Sequence, residues 1–179
     1  IEELRKTALS ASPPNENQSF NPVDLIELKN IDPSLRYDIR YATTNNFMSN
    51  IFYTRAEAYM QRPAAEALGR AHRKLQSKGY GLLIHDAYRP WYVTKMFWDA
   101  TPEDKKIFVA NPQNGSRHNR GCAIDLTLYD LKTGKVIEMV GGYDEFTDRS
   151  FPNYYGVTTE QRWHRKLLRD IMESEGFSV

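Results

Sequence analysis

The stretch from Ser116 to Asp125 contains the residue types and spacing most suited to chemistry, and it reads Ser-Arg-His-Asn-Arg-Gly-Cys-Ala-Ile-Asp. His118 precedes Asp125 by seven residues, and Gly121 between them can turn the chain back sharply because glycine tolerates positive φ. An imidazole and a carboxylate that meet in space are ligands that Zn²⁺ takes in proteins. The stretch therefore predicts two ligands of a zinc site.

The same spacing also has a purely structural explanation. Asp125 can accept hydrogen bonds from its own loop while His118 lies on the surface, and two ligands do not define a metal site. In a strand predicted over Cys122–Tyr129, Asp125 faces the side opposite Ile124, where a buried carboxylate without a partner is costly. Taken alone, these residues leave both interpretations open.

The elements that must position this stretch begin with a strand, a helix and a second strand. A half-buried strand is predicted by alternation of apolar and charged side chains, the apolar ones being Leu35, Tyr37, Ile39 and Tyr41. After Pro63 an apolar stripe with helical spacing predicts a helix that Gly79 ends. The run Tyr80–Ile84 then predicts a buried strand leading into a turn.

The second half of the chain predicts further helices and a hairpin. Short helices are expected at 91–98 and 102–109, the second capped by Thr101, and a return strand is expected at 135–139 after the Cys122–Tyr129 strand. Thr158 and Gln161 form a possible capping box for a last helix that buries Trp163. Hairpin-paired strands with helices mostly before and after them predict an α+β fold with a small central antiparallel sheet.

Composition limits the organisation and the partners. A chain of 179 residues suits one domain, with residues 1–34 expected as an extended N-terminal arm. The net charge of +1 creates no strong field for nucleic acid or an anionic membrane. No apolar run approaches the roughly 18 residues that a membrane span needs. The single cysteine, Cys122, excludes an internal disulfide but leaves the compartment undecided.

The wider pattern adds a family resemblance. The motif Ser-x-His-x-x-Gly-x-Ala-x-Asp closely resembles the zinc-ligand motif of the D-alanyl-D-alanine dipeptidases, which include the vancomycin-resistance dipeptidases. Three further stretches resemble that family in the same order, namely Tyr41–Phe47, Asp86–Pro90 and Gly142–Ser150. The resemblance covers about residues 35 to 179 and implies a metallopeptidase cleft on one face of the domain.

The resemblance implies roles for individual residues. His118 and Asp125 would be two of three zinc ligands, and Arg89 would stabilise the developing oxyanion, a task that suits a permanently charged guanidinium. Without the resemblance, Arg89 could equally form a salt bridge that fixes the turn. The residues implied on the substrate side, which could otherwise be ordinary loop polar groups, are Ser116, Tyr41 and Asp144. Asp144 would bind a free amino terminus.

The family's third zinc ligand and general base lie in a Glu-x-x-His segment that follows a Gly-Phe after the last helix. In this sequence Gly176-Phe177 is followed only by Ser178 and Val179, so we expect both residues downstream of Val179. His164, at a spacing of four from Glu160 and before the end of the helix, is a poor substitute.

These inferences lead to one leading hypothesis and two alternatives. The leading one is zinc-dependent hydrolysis of D-alanyl-D-alanine, or of a similar D,D-dipeptide, in cell-wall peptide metabolism. The alternatives are a D,D-carboxypeptidase acting on longer peptidoglycan stems and a catalytically silent module that binds cell-wall peptides. The sequence does not decide between cell envelope and cytoplasm, nor does it give the oligomeric state. The enzymatic hypotheses require His118, Asp125 and Arg89 to share one cleft.

Overall fold

The fold was analysed in a computed structural model that describes residues 1–179, and it confirms the α+β class. The four α-helices are α1 (Glu2–Ser10), α2 (Arg62–Gln76), α3 (Trp91–Ala100) and α4 (Thr159–Glu173). The five strands are β1 (Leu25–Glu27), β2 (Arg36–Tyr37), β3 (Tyr59–Gln61), β4 (Tyr80–Asp86) and β5 (Asp125–Asp130). No helix is both long enough and apolar enough to cross a membrane.

The central sheet has three strands in the order β2-β4-β5, beside a separate antiparallel pair of β1 and β3. β4 and β5 are antiparallel as predicted, with Leu82 opposite Leu128. β2 runs parallel to β4, which corrects the prediction of a wholly antiparallel sheet. The reason is that the connection from β2 to β4 includes α2, and such a crossover returns the chain in its original direction.

Two predicted strands are much shorter than expected. The segment 35–41 pairs only at Arg36–Tyr37 and then forms a 3₁₀ helix at Arg40–Ala42. The return strand at 135–139 is reduced to one bridge between Tyr129 and Val136. The apolar side chains of the first segment are buried as predicted, at Leu35, Ile39 and Tyr41. Alternating burial alone, however, does not require a partner strand.

The aliphatic cluster between α2, α4 and the central sheet is called the main core. Its fully buried members include Leu68, Leu75, Leu82, Ile84 and Leu128. His72, which its charged neighbours suggested was solvated, is completely buried here. Its Nδ1 accepts a hydrogen bond of 3.1 Å from the Leu82 N–H and so joins α2 to β4.

The last helix begins as predicted but buries a different face. Thr158 and Gln161 form the capping box. Trp163, expected in the core, is 52% exposed, whereas His164 is buried. The inward-facing stripe of α4 runs through positions 164, 167, 168 and 171, which have helical spacing, so Trp163 lies on its flank.

The N-terminal segment is not the extended arm that we expected for residues 1–34. It contains α1, β1 and a 3₁₀ helix at Leu28–Asn30, and α1 packs on α3. Ala8 is fully buried, and Arg5 Nη2 donates to the Ile51 carbonyl at 3.0 Å. Only Leu4 and Ala8 face inward, so a mostly polar composition concealed this helix.

Ala8 belongs to a separate, largely aromatic cluster that we call the second core. Its buried members are Ala8, Tyr41, Phe52, Val93, Met96 and Phe97. The expected helix at 102–109 is a 3₁₀ helix, Glu103–Phe108, and Thr101 does not cap it because its hydroxyl bonds back to the Phe97 carbonyl. The second core lies directly beneath the candidate site.

Candidate active site

The site forms where β4 and β5 end side by side. Asp86, the last residue of β4, pairs with Asp125, the first residue of β5, and the register is irregular between Ile84 and Asp86. After Asp86 the chain turns through Ala87 towards Arg89. Two carboxylates are thereby placed next to each other, an arrangement that needs nearby positive charge.

The loop before β5 brings His118 over these strand ends. His118 begins a 3₁₀ helix that ends at Gly121, whose φ of 70° is the turn predicted from sequence. The backbone N–H of Arg89 donates to the His118 carbonyl at 3.1 Å. His118 Nδ1 lies 2.7 Å from the Ala87 carbonyl, and because a carbonyl only accepts, Nδ1 carries the proton. His118 Nε2 is left to face the cleft.

His118 Nε2 and Asp125 Oδ1 fit a shared zinc ion. They lie 3.4 Å apart, and two ligands each about 2.0–2.2 Å from a tetrahedral zinc would also lie about 3.4 Å apart. The hydrogen bond from Nδ1 to a backbone carbonyl fixes the ring in the way that is usual for metal-binding histidines. The donor set of one imidazole and one carboxylate therefore suits zinc.

The charges of these two residues reinforce each other without a metal. Burial lowers the pKa of His118, but the hydrogen bond and charge of Asp125 outweigh burial and raise it overall. Burial raises the pKa of Asp125, but the hydrogen bond from His118 and the charges of His118 and Arg89 lower it overall.

Arg89 is held rigidly at the side of this pair. Its Nε and Nη2 donate to Asp86 Oδ2 at 3.0 and 2.7 Å, and Nη2 lies 3.7 Å from Asp125 Oδ2. The guanidinium also sits 5.2 Å from the ring centre of Tyr41 and 5.0 Å from that of Phe97. Arg89 is buried, and burial alone lowers its pKa. The charge of Asp86 outweighs burial and raises the pKa overall, so the group stays charged.

Asp86 was not singled out from the sequence, although it opens the turn that contains Arg89. Ligand atoms of Asp86, His118 and Asp125 lie within 4.8 Å of one another. Both oxygens of Asp86 are already engaged, however, Oδ2 by Arg89 and Oδ1 by the hydroxyl of Tyr53 at 2.8 Å. We therefore assign Asp86 to orienting Arg89 rather than to binding metal. The sequence feature that could have revealed Asp86 is a carboxylate at the end of a mostly apolar strand.

Across the cleft, Tyr41 and Asp144 form a second polar pair. The Tyr41 hydroxyl donates to Asp144 Oδ2 at 2.8 Å. Asp144 has a φ of 55°, a left-handed conformation that aspartate tolerates better than most residues. Burial raises the pKa of Asp144 to about 6, against the opposing hydrogen bond from Tyr41. A cation in the cleft would therefore stabilise the ionised form of Asp144.

All six residues singled out from the sequence line one cavity of about 280 Å³. They are Tyr41, Arg89, Ser116, His118, Asp125 and Asp144. The Oγ of Ser116 accepts the His118 N–H at 3.2 Å and so helps to hold the loop. Tyr143, which we did not predict, has its hydroxyl 3.5 Å from Asp125 Oδ2. The cavity brings these groups together, while their individual roles remain predictions.

Comparison with known sequences decides the family. Residues 21–179 match the family model described as D-ala-D-ala dipeptidase, of the M15 peptidases. The chain belongs to the D-alanyl-D-alanine dipeptidase family. This is a family of metallo-dipeptidases, so the resemblance seen in the motifs is confirmed across most of the chain.

Individual relatives in the D-alanyl-D-alanine dipeptidase family agree with this assignment. The D-alanyl-D-alanine dipeptidase of Escherichia coli K12 is 35% identical over 154 residues, covering 86% of this chain and 78% of the relative. That of Enterococcus faecalis is 35% identical over 161 residues, covering 80% of each chain. That of Streptomyces coelicolor is 32% identical over 162 residues, again covering 80% of each.

Proposed function

We propose that this protein is a zinc-dependent D,D-dipeptidase that hydrolyses D-alanyl-D-alanine. The observation that carries the proposal is the convergence of His118 Nε2 and Asp125 Oδ1, 3.4 Å apart, beside the buried guanidinium of Arg89. The substrate is inferred from the relatives, which are D-alanyl-D-alanine dipeptidases. With that substrate we propose a role in cell-wall peptide metabolism.

Zinc would be held by His118 Nε2 and Asp125 Oδ1. Zinc in such a site supplies Lewis-acid chemistry, which polarises a carbonyl and lowers the pKa of water to about 7. Arg89 contributes a fixed positive charge where the oxyanion develops. Asp86 and Tyr53 hold the guanidinium in place, so little reorganisation is needed during reaction.

The opposite side of the cavity would recognise the free amino terminus of the substrate. Asp144 is a half-buried carboxylate without a cationic partner among its hydrogen bonds, so an ammonium group would satisfy its charge. Tyr41 orients it. A cavity of about 280 Å³ between Asp144 and the zinc ligands suits a short peptide. Both features favour a dipeptidase over the alternative of a D,D-carboxypeptidase acting on longer stems, whose substrates present a neutral amide at this position.

The alternative of a catalytically silent binding module makes a different prediction about metal and turnover. We expect His118→Ala to abolish D-alanine release and to lose stoichiometric zinc. His164→Gln is a matched control, because His164 is also buried but bonds to Tyr80 away from the cavity. D-Alanine release is measured by a kinetic assay, and the zinc content of each protein is measured by atomic emission. Full turnover by His118→Ala would exclude this metal site, and zinc binding without turnover in the unmodified protein would favour the silent module.

A further inference from the structure

A second cavity adjoins the substrate cavity on the side of Asp144. It measures about 380 Å³ and is bordered by Phe47, Met48 and the start of the 3₁₀ helix at Glu103–Phe108. Asp144 and Phe146 line both cavities, and no other residue is shared between them. These two side chains therefore form the partition between the cavities.

Phe146 is held in this partition by aromatic contacts on both sides. Its ring stacks on Phe108, with centroids 5.2 Å apart and an angle of 15° between the planes. On the other side it contacts Phe47 at 5.1 Å, and Phe47 in turn packs edge-on against Phe97 of the second core. A ring fixed by several neighbours resists displacement by a ligand more strongly than a free side chain.

The loop that carries Asp144 and Phe146 is fixed by the residue between them. Glu145 Oε2 accepts the Gly142 N–H at 2.7 Å, and Glu145 Oε1 accepts the Thr147 hydroxyl at 2.6 Å. Arg149 Nε donates to the Val140 carbonyl at 2.9 Å and lies 3.5 Å from Glu145. The partition is therefore supported by backbone and side chain together.

The position of the partition determines which peptides fit, if Asp144 binds the amino terminus. We propose that Phe146 is the steric determinant that limits the substrate to two residues, an inference that rests on the proposed function. A residue added before the dipeptide would start at Asp144, where the Phe146 ring lies between the substrate cavity and the second cavity. Asp144 adds an electrostatic preference, since an internal amide carries no charge to satisfy a half-buried carboxylate.

Phe146→Ala tests this role by joining the two cavities. The experiment compares kcat/KM for D-Ala-D-Ala with kcat/KM for a tripeptide in which one L-alanine precedes that dipeptide. We expect the ratio of dipeptide to tripeptide to fall by about tenfold or more, the range typical of steric discrimination in a pocket.

Phe151→Ala is the matched control. Phe151 also contacts Phe108, at 6.0 Å, but lines neither cavity, so its removal should leave the ratio unchanged. An unchanged ratio in folded Phe146→Ala, or an equal change in Phe151→Ala, would overturn the proposal. If Phe146→Ala does not fold, Phe146→Leu shortens the side chain more conservatively and should shift the ratio in the same direction.

A calorimetric measurement separates this inference from the proposed function. Binding of the dipeptide and of the tripeptide is compared between unmodified protein and Phe146→Ala. Absence of any dipeptide hydrolysis would contradict the proposed function, yet a selective gain in tripeptide affinity would still support the role of Phe146. Equal tripeptide affinities in the two proteins would refute it whatever the catalytic result.

Discussion

The main core and the second core differ in what their side chains do besides pack. The main core is mostly aliphatic and lies largely between regular helices and strands. It reaches the candidate site through β4, β5 and Ala87, whose carbonyl bonds to His118 Nδ1. The second core is aromatic and is drawn from helices and irregular segments. Two of its members, Tyr41 and Phe97, lie against the Arg89 guanidinium. One cluster mainly stabilises the fold, and the other also shapes the site.

Arg89→Ala should produce the largest effect, because Arg89 joins the second core to the strand ends. Loss of an oxyanion-stabilising group typically lowers kcat by about 10²–10³. Asp86 would also be left buried and unpaired, which typically costs about 3–5 kcal/mol of unfolding free energy. Steady-state kinetics and chemical denaturation measure the two losses separately.

A second substitution distinguishes these losses from each other. Asp86→Asn combined with Arg89→Ala removes the stranded negative charge, so stability should partly return while kcat stays low. If activity returned together with stability, Arg89 would act on the fold and not on the reaction. Arg36, which packs over the Tyr129 ring far from the cleft, provides an arginine control when changed to alanine.

Leu68→Ala tests the main core, which we expect to affect stability rather than activity. Leu68 is fully buried in the main core, and removing such a side chain typically costs about 2–5 kcal/mol because a cavity remains. We expect the midpoint of urea denaturation to fall, with kcat/KM per folded molecule unchanged at a temperature where the variant is folded. A large loss of kcat/KM in the folded variant would show that the two cores are more tightly coupled than their contacts indicate.

Asp144→Asn should stabilise the folded protein at pH 7, by less than Leu68→Ala destabilises it. The pKa of Asp144 in the folded protein is about 6 because burial raises it above 3.8, so the folded state binds this proton more tightly than the unfolded state. Stability is then greatest at low pH and falls as pH rises from about 4 to about 6. At pH 7 the ionised group costs about 1–2 kcal/mol after allowance for partial exposure.

The uncharged amide introduced by Asp144→Asn would avoid that cost, and asparagine also tolerates the left-handed backbone. In metal-chelated protein we expect the variant to unfold at higher urea than the unmodified protein at pH 7, with the difference shrinking towards pH 5. The KM for D-Ala-D-Ala should rise, since the ammonium loses its partner. A variant that is less stable at pH 7, or that has an unchanged KM, would contradict the assigned environment of Asp144.

The sequence allowed the main core to be predicted better than the second core. Helical spacing in α2, the apolar run of β4 and the capping box of α4 each reflect local physics that a single segment contains. The motif from Ser116 to Asp125 likewise indicated two groups that meet. Tertiary contacts decided the rest: the parallel pairing of β2, the face of α4 that is buried, and the folding of the first ten residues into α1.

The sequence predicted two groups, His118 and Asp125, that lie side by side in the structure, and it missed the residues that support the site. Asp86 and Tyr53 form a hydrogen bond across 33 positions of sequence, and no spacing rule connects two such distant residues. Phe146 was missed for the same reason, since its aromatic neighbours come from separate segments of the chain. Only the three-dimensional arrangement shows that a phenylalanine in a polar loop separates two cavities.

Helix α1 lies before residue 21, where the match to the family model begins. It packs on α3, whose Thr94 and Phe97 form part of the floor of the cleft. Substitutions in α1 can therefore change the depth or rigidity of that floor without altering any residue of the shared motifs.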